Sequence, residues 1–443
     1  MRLFLFSILG LLSVSLTVNG QMNKLAFEQY TLDNGLHVIL HQDKTTPIVA
    51  VSVMYHVGSK NENPERTGFA HFFEHLMFEG SDNIGRGEFD KYVQNAGGNL
   101  NANTSFDRTY YYEILPSNQL ALGLWLESER MLHAKVDLKG IETQREVVKE
   151  ERRQRIDNQP YGSILEETFK RAYTSHPYKW PVIGSMEHLA AAEEADYKQF
   201  YKDFYVPNNA VLSIAGDIDF AETKSLISKY FASIPKSASA VYRPRIAEPS
   251  LTAEIRDTVY DNIQLPAVIQ AYRIPAQGTK DYYAVDMLSR ILSSGESSRL
   301  YRSLVDEQQK ALFVGNFPLA LEDPGISLSF GIANMGVDVG ELEKGIDGEV
   351  MKVQKELITQ KEFEKLQNQI ESEFVTNNSR VAGIAESLAT YHMFFGDANL
   401  INTEVDRYLA VTREDIMNAA KKYLVPTNRV VLHYLPKSQE SKS

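Results

Sequence analysis

Apolar positions along the chain follow two different periods, which predict alternating strands and helices. Residues 49–55 and 109–115 are short runs rich in β-branched and aromatic side chains, as in strands. Residues 119–132 and 141–155 repeat apolar side chains every three or four positions, as in amphipathic helices. The pattern therefore predicts an α+β fold with partly antiparallel sheets.

A short helix is predicted between the first two of these strands. Thr67 can cap its start and Gly80 can end it. Apolar side chains recur at i, i+3, i+4 and i+7 and mark its buried stripe: Phe69, Phe72, Phe73 and Leu76. The other face of this helix is left for polar side chains.

The polar face carries the pattern H-x-x-E-H at residues 71–75, the reverse of the common zinc-protease H-E-x-x-H. His71 and His75 are one turn apart, with Cβ atoms roughly 5 to 6 Å from each other, close enough to share one ion. Glu74 lies beside them, where a carboxylate can take a proton from zinc-activated water without being a ligand. If the two histidines stood by themselves, the simpler interpretation would be ordinary side chains on a polar helix face. All three residue types at this spacing favour a metal site.

A catalytic zinc site usually has three protein ligands, so a third must come from elsewhere in the chain. Because the chain contains no cysteine, that ligand should be His, Asp or Glu. The acidic helix at 144–152 is the strongest candidate, since Val147 and Val148 mark its buried side and Gln144 and Glu151 flank them. Its other charged residues are typical of a solvated face: Glu146, Lys149, Glu150 and Arg153. Glu151 is the predicted third ligand.

Residues 68–80 resemble the signature of the insulinase/pitrilysin family of inverted-motif zinc metallopeptidases. The family's Gly-Gly-x-x-Asn-Ala-x-Thr stretch is matched at 97–104, and its E-R-x-V-V-x-E-E block at 144–151. The resemblance implies that Glu151, the last Glu of that block, is the third ligand of one zinc ion per chain. The block usually begins with Glu, whereas this chain has Gln144. An amide there can support the site indirectly, so we expect altered zinc affinity more than lost binding.

A polar stretch containing Ser, Ala and Pro at 233–249 is predicted to link two domains. The first, at 21–232, carries the metal-site motif, and the second, at 250–443, has no metal site. The family resemblance implies a clamshell of two homologous αβ domains facing each other across a chamber.

The second domain repeats the order of elements of the first. Residues 266–272 resemble residues 47–53, and the helix predicted at 361–374 matches the helix that carries Glu151. The positions that correspond to the metal-site motif are Asp286, Ser289 and Arg290, so only the first domain is predicted to bind zinc.

Peptide binding in the family resembled is by addition of a strand to a sheet edge, and the matching segment here is Asn101-Ala102. Main-chain hydrogen bonds then supply much of the affinity and tolerate many substrate sequences. A purely local role for Asn101 is an equal alternative, because asparagine is common in turns.

The second domain departs from the family where it should grip the substrate. Residues 297–301 resemble the stretch that precedes an Arg and a Tyr seven residues apart, but the corresponding positions here are Val305 and Leu312. Neither side chain can donate a hydrogen bond to a peptide carbonyl or an oxyanion. Mitochondrial processing peptidase divides such roles between a zinc-bearing subunit and a zinc-free one. The resemblance therefore implies a heterodimer, in which this chain holds zinc and a second family subunit supplies the Arg and Tyr.

Residues 1–20 are predicted to be a secretory signal peptide, because Arg2 precedes an apolar run at 3–18. The run is shorter than the roughly 20 residues that span a bilayer, so cleavage before Gln21 is favoured over an uncleaved anchor. Without cysteine, the exported chain has neither disulfides nor a lipidated thiol. The expected location is the bacterial periplasm or the exterior.

Composition narrows the classes of function without identifying a substrate. The 443 residues with 43% apolar content suffice for two to three domains, and the net charge of −12 argues against nucleic-acid binding. The predicted function is a zinc-dependent endopeptidase that cleaves peptides or small unfolded polypeptides, with Glu74 as general base. The alternative from another class is a non-cleaving, peptide-binding scaffold subunit. A zinc amidase acting on other substrates ranks last, since it would not need the strand-edge segment.

Overall fold

The computed structural model describes residues 24–437. The predicted signal peptide and the predicted mature start at Gln21 lie outside the described residues. Among the helices that the structure describes, none is long and apolar enough to cross a membrane.

The first half of the chain builds one sheet and the helices around it. Its strands are β1 (Glu28–Thr31), β2 (His37–Gln42), β3 (Ile48–Tyr55), β4 (Asn99–Thr104), β5 (Thr109–Pro116) and β6 (Ala210–Gly216). Its helices are α1 (Phe69–Leu76), α2 (Phe89–Asn95), α3 (Leu120–His133), α4 (Leu138–Arg152), α5 (Ile164–Ala172), α6 (Met186–Ala191), α7 (Glu194–Phe204) and α8 (Phe220–Phe231). A π-helical turn, Arg153–Asp157, continues α4.

The second half builds a second sheet. Its strands are β7 (Ile255–Asp261), β8 (Ala267–Arg273), β9 (Ala311–Leu319), β10 (Ile326–Ala333) and β11 (Arg429–Pro436). Its helices are α9 (Lys280–Ser293), α10 (Val339–Lys355), α11 (Gln360–Asn377), α12 (Val381–Phe395), α13 (Leu400–Leu409) and α14 (Arg413–Tyr423). A second π-helical turn, Tyr301–Glu307, precedes β9.

The five strands of the second sheet follow the same order as five strands of the first, to which β1 is added at one edge. The first has the order β1-β2-β6-β3-β5-β4 and the second the order β7-β11-β8-β10-β9. Strands β2 and β6 run parallel, as do β7 and β11, while every other neighbouring pair in the two sheets is antiparallel. The predicted resemblance of residues 266–272 to residues 47–53 pairs β8 with β3. Strand β3 is the third strand from the β4 edge of its sheet, and β8 is the third strand from the β9 edge of the other. The α+β fold of two homologous αβ domains is confirmed.

Each half also supplies a helix that covers the sheet of the other half. Helix α12 packs its apolar face, including Ile384 and Leu388, on Ala50 and Met54 of the first sheet. In return, Phe169 of α5 joins a core cluster built from the strands of the second sheet. Because these buried surfaces cross between the halves, the two domains are fastened to each other by apolar packing as well as by the chain connection.

The predicted linker at 233–249 contains no helix or strand, and every residue of it is described. It is nevertheless held to both halves. The Glu248 carboxylate accepts the backbone N–H groups of Thr174, Ser175 and His176 at 2.7–2.8 Å and pairs with Arg273 at 3.1 Å. The domain boundaries themselves stay a prediction.

Candidate metal centre

Helix α1 begins one residue after Gly68, which has φ +95°, a left-handed conformation that favours glycine. The predicted cap, Thr67, is wrong: its hydroxyl is engaged with His188 Nδ1 at 2.8 Å, away from the helix. Glu62 caps the helix instead. Its buried carboxylate accepts the N–H groups of Gly68 at 2.8 Å and Ala70 at 2.9 Å. The helix ends at Leu76, before the predicted stop at Gly80, where φ is +110°.

The apolar stripe of α1 is confirmed, since all four of its predicted side chains are buried. The ring centroid of Tyr197 lies 4.6 Å from that of Phe69 and 4.7 Å from that of Phe72. On the sheet side, the Tyr111 hydroxyl donates to the Phe73 carbonyl at 3.0 Å. This packing fixes the rotation of α1, so its polar face has one orientation.

The two histidines of that face lie together, with ring centroids 4.9 Å apart and planes at 77°. Glu151 of α4 completes the group, with its Oε2 atom 3.5 Å from His71 Nε2 and 3.1 Å from His75 Nε2. One potential ligand atom from each residue lies within 4.8 Å of the other two. Within residues 24–437, no other set of three His, Cys, Asp or Glu side chains converges this closely.

The phase of α4 differs in one respect from the prediction. Val148 is fully buried, but Val147 is 43% exposed, so the prediction that both valines are buried is wrong. Ile141 and Arg145 share the buried face with Val148, which is the i, i+4, i+7 spacing of one helix side. Glu151 is three residues beyond Val148 and therefore still points inward, with its side chain only 14% exposed.

The donor set fits a zinc ion. Two imidazoles and one carboxylate, with a fourth position for water, are a known catalytic zinc arrangement. The Glu151 Oε2 atom is buried and lacks a hydrogen bond of good geometry, which a cation would compensate. The approach of His71 and His75 already lowers the pKa of Glu151 well below its usual range, so this carboxylate is ionised and able to bind a cation. Zinc would be held by His71, His75 and Glu151.

Glu74 lies between the two histidines in sequence and is half-buried on α1. The negative charge of Glu74 acts on Arg108, which lies in the turn between β4 and β5. Burial lowers the pKa of Arg108, and the carboxylates of Glu386 and Glu74 oppose that shift. The sequence pattern does not indicate this interaction, because only the fold brings the turn after β4 close enough to α1 for the charge of Glu74 to act on Arg108.

Comparison with known proteins gives the same picture. The model of the insulinase family, peptidase family M16, matches residues 37–185, and the model of the M16 inactive domain matches residues 192–370. A Helicobacter pylori protein named zinc protease PqqE is 33% identical over 97% of this chain and 98% of its own. The chain belongs to the insulinase family, M16.

Solved structures agree with this M16 assignment. The crystal structure of a protease from Helicobacter pylori has a TM-score of 0.89 at 32% identity and covers 93% of this chain and 100% of that one. The first half of the periplasmic protease PqqL from Escherichia coli has a TM-score of 0.76 at 18% identity, covering 94% and 93%, which shows a common fold.

The M16 block that carries Glu151 also contains Gln144. The Gln144 amide donates to Glu79, in the turn that follows α1, at 2.5 Å, and Glu79 forms an ion pair with Arg86. Gln144 therefore ties α4 to the segment that follows the motif helix.

The segment predicted to receive substrate lies on an edge strand, since β4 is the last strand of the first sheet. Ala102 is buried beside its register partner Tyr111. Asn101 is exposed, and its amide oxygen accepts the Ala102 N–H at 2.9 Å. Asn101 thus makes the local hydrogen bond that the simpler interpretation expects, at a position where a strand could also dock.

In the second M16 domain, the positions equivalent to the metal-site motif lie on α9. Asp286 and Arg290 form an ion pair at 2.9 Å, and Arg290 also pairs with Glu373 of α11 at 2.5 Å. A cationic side chain therefore stands where the first domain has a histidine. Val305 is half-buried against the core, and Leu312 on β9 is 60% exposed.

Proposed function

We propose that this chain is a zinc-dependent endopeptidase that cleaves peptides or small unfolded polypeptides. The convergence of His71, His75 and Glu151, with Glu74 beside them on α1, carries the proposal. Glu74 is the base, and the other three residues hold one zinc ion.

The chemistry divides between the metal and this chain's own groups. Zinc, when bound, supplies a Lewis acid that lowers the pKa of water and polarises a peptide carbonyl. The Glu74 carboxylate takes a proton from the attacking water and delivers it to the nitrogen of the leaving amine. Glu151 is available as an anionic ligand, because the neighbouring His71 and His75 hold its pKa well below its usual range.

Substrate is proposed to dock as an added strand on β4. The exposed Asn101 and the buried Ala102 lie on this edge, and a docked backbone would replace the local bond between the Asn101 amide oxygen and the Ala102 N–H. Affinity then comes mainly from the main chain, which suits a peptidase with broad sequence tolerance.

A second M16 subunit is proposed as partner. The Arg and Tyr that would grip substrate from the second domain are replaced by Val305 and Leu312, neither of which can donate a hydrogen bond. A zinc-free family member that carries both residues would complete the site. We therefore expect this chain to be weakly active or silent alone.

The same replacements favour a second candidate function, a scaffold subunit that binds peptides for its partner and does not cleave. The intact set of His71, Glu74, His75 and Glu151 weighs against it, because a scaffold has no need of a proton acceptor beside the metal ligands.

Cleavage of a mixture of quenched fluorescent peptides tests the proposal. The chain is assayed alone, with a co-expressed M16 chain that lacks the zinc motif, and with a Glu74→Gln copy in the same pair. Activity confined to the pair and lost in the variant supports the split site. Strong activity of the chain alone contradicts the partner, and zinc binding without activity in either sample favours the scaffold.

Export is part of the proposal, since residues 1–20 have the pattern of a cleaved signal peptide. The similar fold of a periplasmic protease supports a periplasmic or secreted location. Sequencing the N-terminus of the protein from a periplasmic extract should find Gln21, whereas recovery of an intact N-terminus from the cytoplasm would contradict export.

A further inference from the structure

A cavity of about 640 Å³ lies between the two halves, close to the end of β4. Ser105 and Arg108 line it from the first half, and side chains of α9, α12 and α13 line it from the second. Arg108 connects the cavity to the edge strand, because its guanidinium donates to the Asn103 amide oxygen and, at 2.9 Å, to Glu386 of α12. The cavity therefore adjoins the strand that carries Asn101 and Ala102.

A peptide added to β4 would direct alternate side chains to opposite faces of the sheet. Ala102 and its register partner Tyr111 face the core that contains α1. Asn103 is paired with Tyr110, whose side chain faces α12. Every second side chain of a docked peptide would thus point to the α12 side, where the cavity lies.

Glu404 of α13 contributes a carboxyl group to the cavity lining. It accepts hydrogen bonds from the hydroxyls of Tyr391 and Tyr283. Burial raises the pKa of Glu404, and these tyrosines and the charge of Arg407 oppose the shift only in part. The Arg407 guanidinium donates a hydrogen bond to the Tyr283 hydroxyl at 3.2 Å.

The walls around Glu404 are aromatic, with Tyr282, Phe394 and Tyr408 among the lining side chains. Aromatic faces attract cations, and the methylene stem of a long basic side chain packs well on such rings. The positive charge of Arg108 is offset by Glu386, at 2.9 Å. Apart from the tyrosines, Glu404 is then the remaining ionisable side chain on the lining.

We propose that this cavity is a subsite for a lysine or arginine side chain of the bound peptide, with Glu404 as its counter-ion. The inference rests on the proposed docking of a peptide strand at β4. It adds a preference for one basic residue, on the α12 side of that strand, to a site whose main-chain contacts are otherwise indifferent to sequence.

Equilibrium binding of labelled peptides to the Glu74→Gln chain, paired with its partner subunit, tests the subsite without turnover. The peptides form a scan in which one lysine, or one norleucine of similar length and no charge, occupies each position of a neutral background. Fluorescence anisotropy gives the dissociation constants. The same scan is run with Glu404→Gln and with a matched control, Glu371→Gln, which changes an exposed glutamate of α11.

At one position, lysine should bind about tenfold more tightly than norleucine, the factor expected for one charge-assisted hydrogen bond. Glu404→Gln should remove that ratio, and Glu371→Gln should leave it unchanged. A Phe394→Leu variant, which keeps the carboxylate, should reduce the ratio severalfold. Equal affinities at every position, no peptide binding at all, or a ratio that survives Glu404→Gln would overturn the subsite.

Cleavage assays of the same pair distinguish failure of the subsite from failure of the proposed peptidase activity. If the active pair cleaves neutral peptides but shows no lysine ratio, the subsite is wrong and the peptidase stands. If the lysine ratio is present in binding but the pair cleaves nothing, the subsite stands and the peptidase is wrong.

Discussion

Glu74 is the side chain on which the proposed chemistry depends most directly. It lies on α1 with His71 and His75 but is not one of the three residues that converge as candidate zinc ligands. We expect Glu74→Gln to retain zinc, because all three ligands remain, and to lower kcat by about 10²- to 10⁴-fold, the usual contribution of a general base. Steady-state kinetics of the paired enzyme and elemental analysis of the same sample measure both quantities.

A matched control for that variant is Glu146→Gln, since Glu146 is an exposed glutamate on the outer side of α4 and pairs with Lys149 at 2.8 Å. It should leave kcat and zinc content unchanged. Full activity in Glu74→Gln would show that the assigned base is wrong, and zinc loss in that variant would show that Glu74 acts as a ligand.

The convergence of the candidate ligands can be predicted from the chain, because helix periodicity makes the distances between i and i+4 side chains nearly constant. His71 and His75 follow from that rule, and Glu151 from the phase of α4. Glu62 and Arg108 could not be found in this way. Glu62 caps a helix that begins seven residues later, and Arg108 lies in a turn between two strands, so the roles of both depend on the path of the chain.

Helix α1 is the element whose position sets the geometry of the metal cluster. Its first N–H groups are satisfied by Glu62, whose pKa is raised to about 8 by burial although the N–H groups of Ala70 and Gly68 oppose this shift. Glu62→Ala would leave two buried donors without an acceptor, at a cost of about 2 to 4 kcal/mol in the free energy of unfolding. We also expect weaker zinc binding, since His71 lies one residue beyond Ala70.

The exposed Glu65 of the same loop supplies the control for this element. Urea unfolding should show a change of no more than about 0.5 kcal/mol for Glu65→Ala. Competition with a zinc chelator reports affinity independently of stability. If Glu62→Ala unfolds at the same urea concentration as the wild type, the capping role of Glu62 is contradicted.

The elements themselves were predictable where the apolar period is long, and less so at their ends. The helix predicted at 119–132 is found at Leu120–His133, whereas the helix predicted at 141–155 gives way to the π-helical turn after Arg152. Thr67 has the right chemistry for a cap, but His188 competes for its hydroxyl. A nonlocal partner of that kind leaves no trace in the local sequence.

At the scale of the whole molecule, the halves are held by crossed helices and by the segment between them. Glu248 of that segment bonds to residues 174–176 of the first half and to Arg273 of the second. Burial alone would raise the pKa of Glu248, but the backbone N–H donors lower it to about 2. The ordinary pKa of a glutamate in an unfolded chain is about 4.3.

This depressed pKa makes the contribution of Glu248 to stability depend on pH. The folded chain binds fewer protons at this site than the unfolded chain, so the contribution is fully present above about pH 5 and is lost as the pH falls toward 2. Glu248→Gln should therefore cost about 2 kcal/mol at pH 7 and progressively less below pH 5. Urea unfolding at pH 7, 5 and 4 measures the difference, and a cost that stays constant over this range would contradict the assignment.

The order of elements at 266–272 and 361–374 was enough to predict two homologous halves. It could not predict that α12 would lie on the first sheet and α5 near the second, because an amphipathic helix does not indicate which of two similar sheets it covers. The contact between His37 of β2 and His392 of α12, with stacked rings 3.4 Å apart, illustrates the result. The cavity beside Glu404 exists only because the helices cross in this way.

Zinc content per chain tests whether His71, His75 and Glu151 form a metal centre. Wild-type protein and a Glu151→Ala variant are dialysed side by side against metal-free buffer and assayed by elemental analysis, with circular dichroism to verify that both are folded. We expect about one zinc ion per wild-type chain and a large loss in the variant, since only two of the usual three protein ligands remain. A wild-type chain that takes up no zinc, or a folded Glu151→Ala variant that retains as much zinc as the wild type, would contradict this expectation.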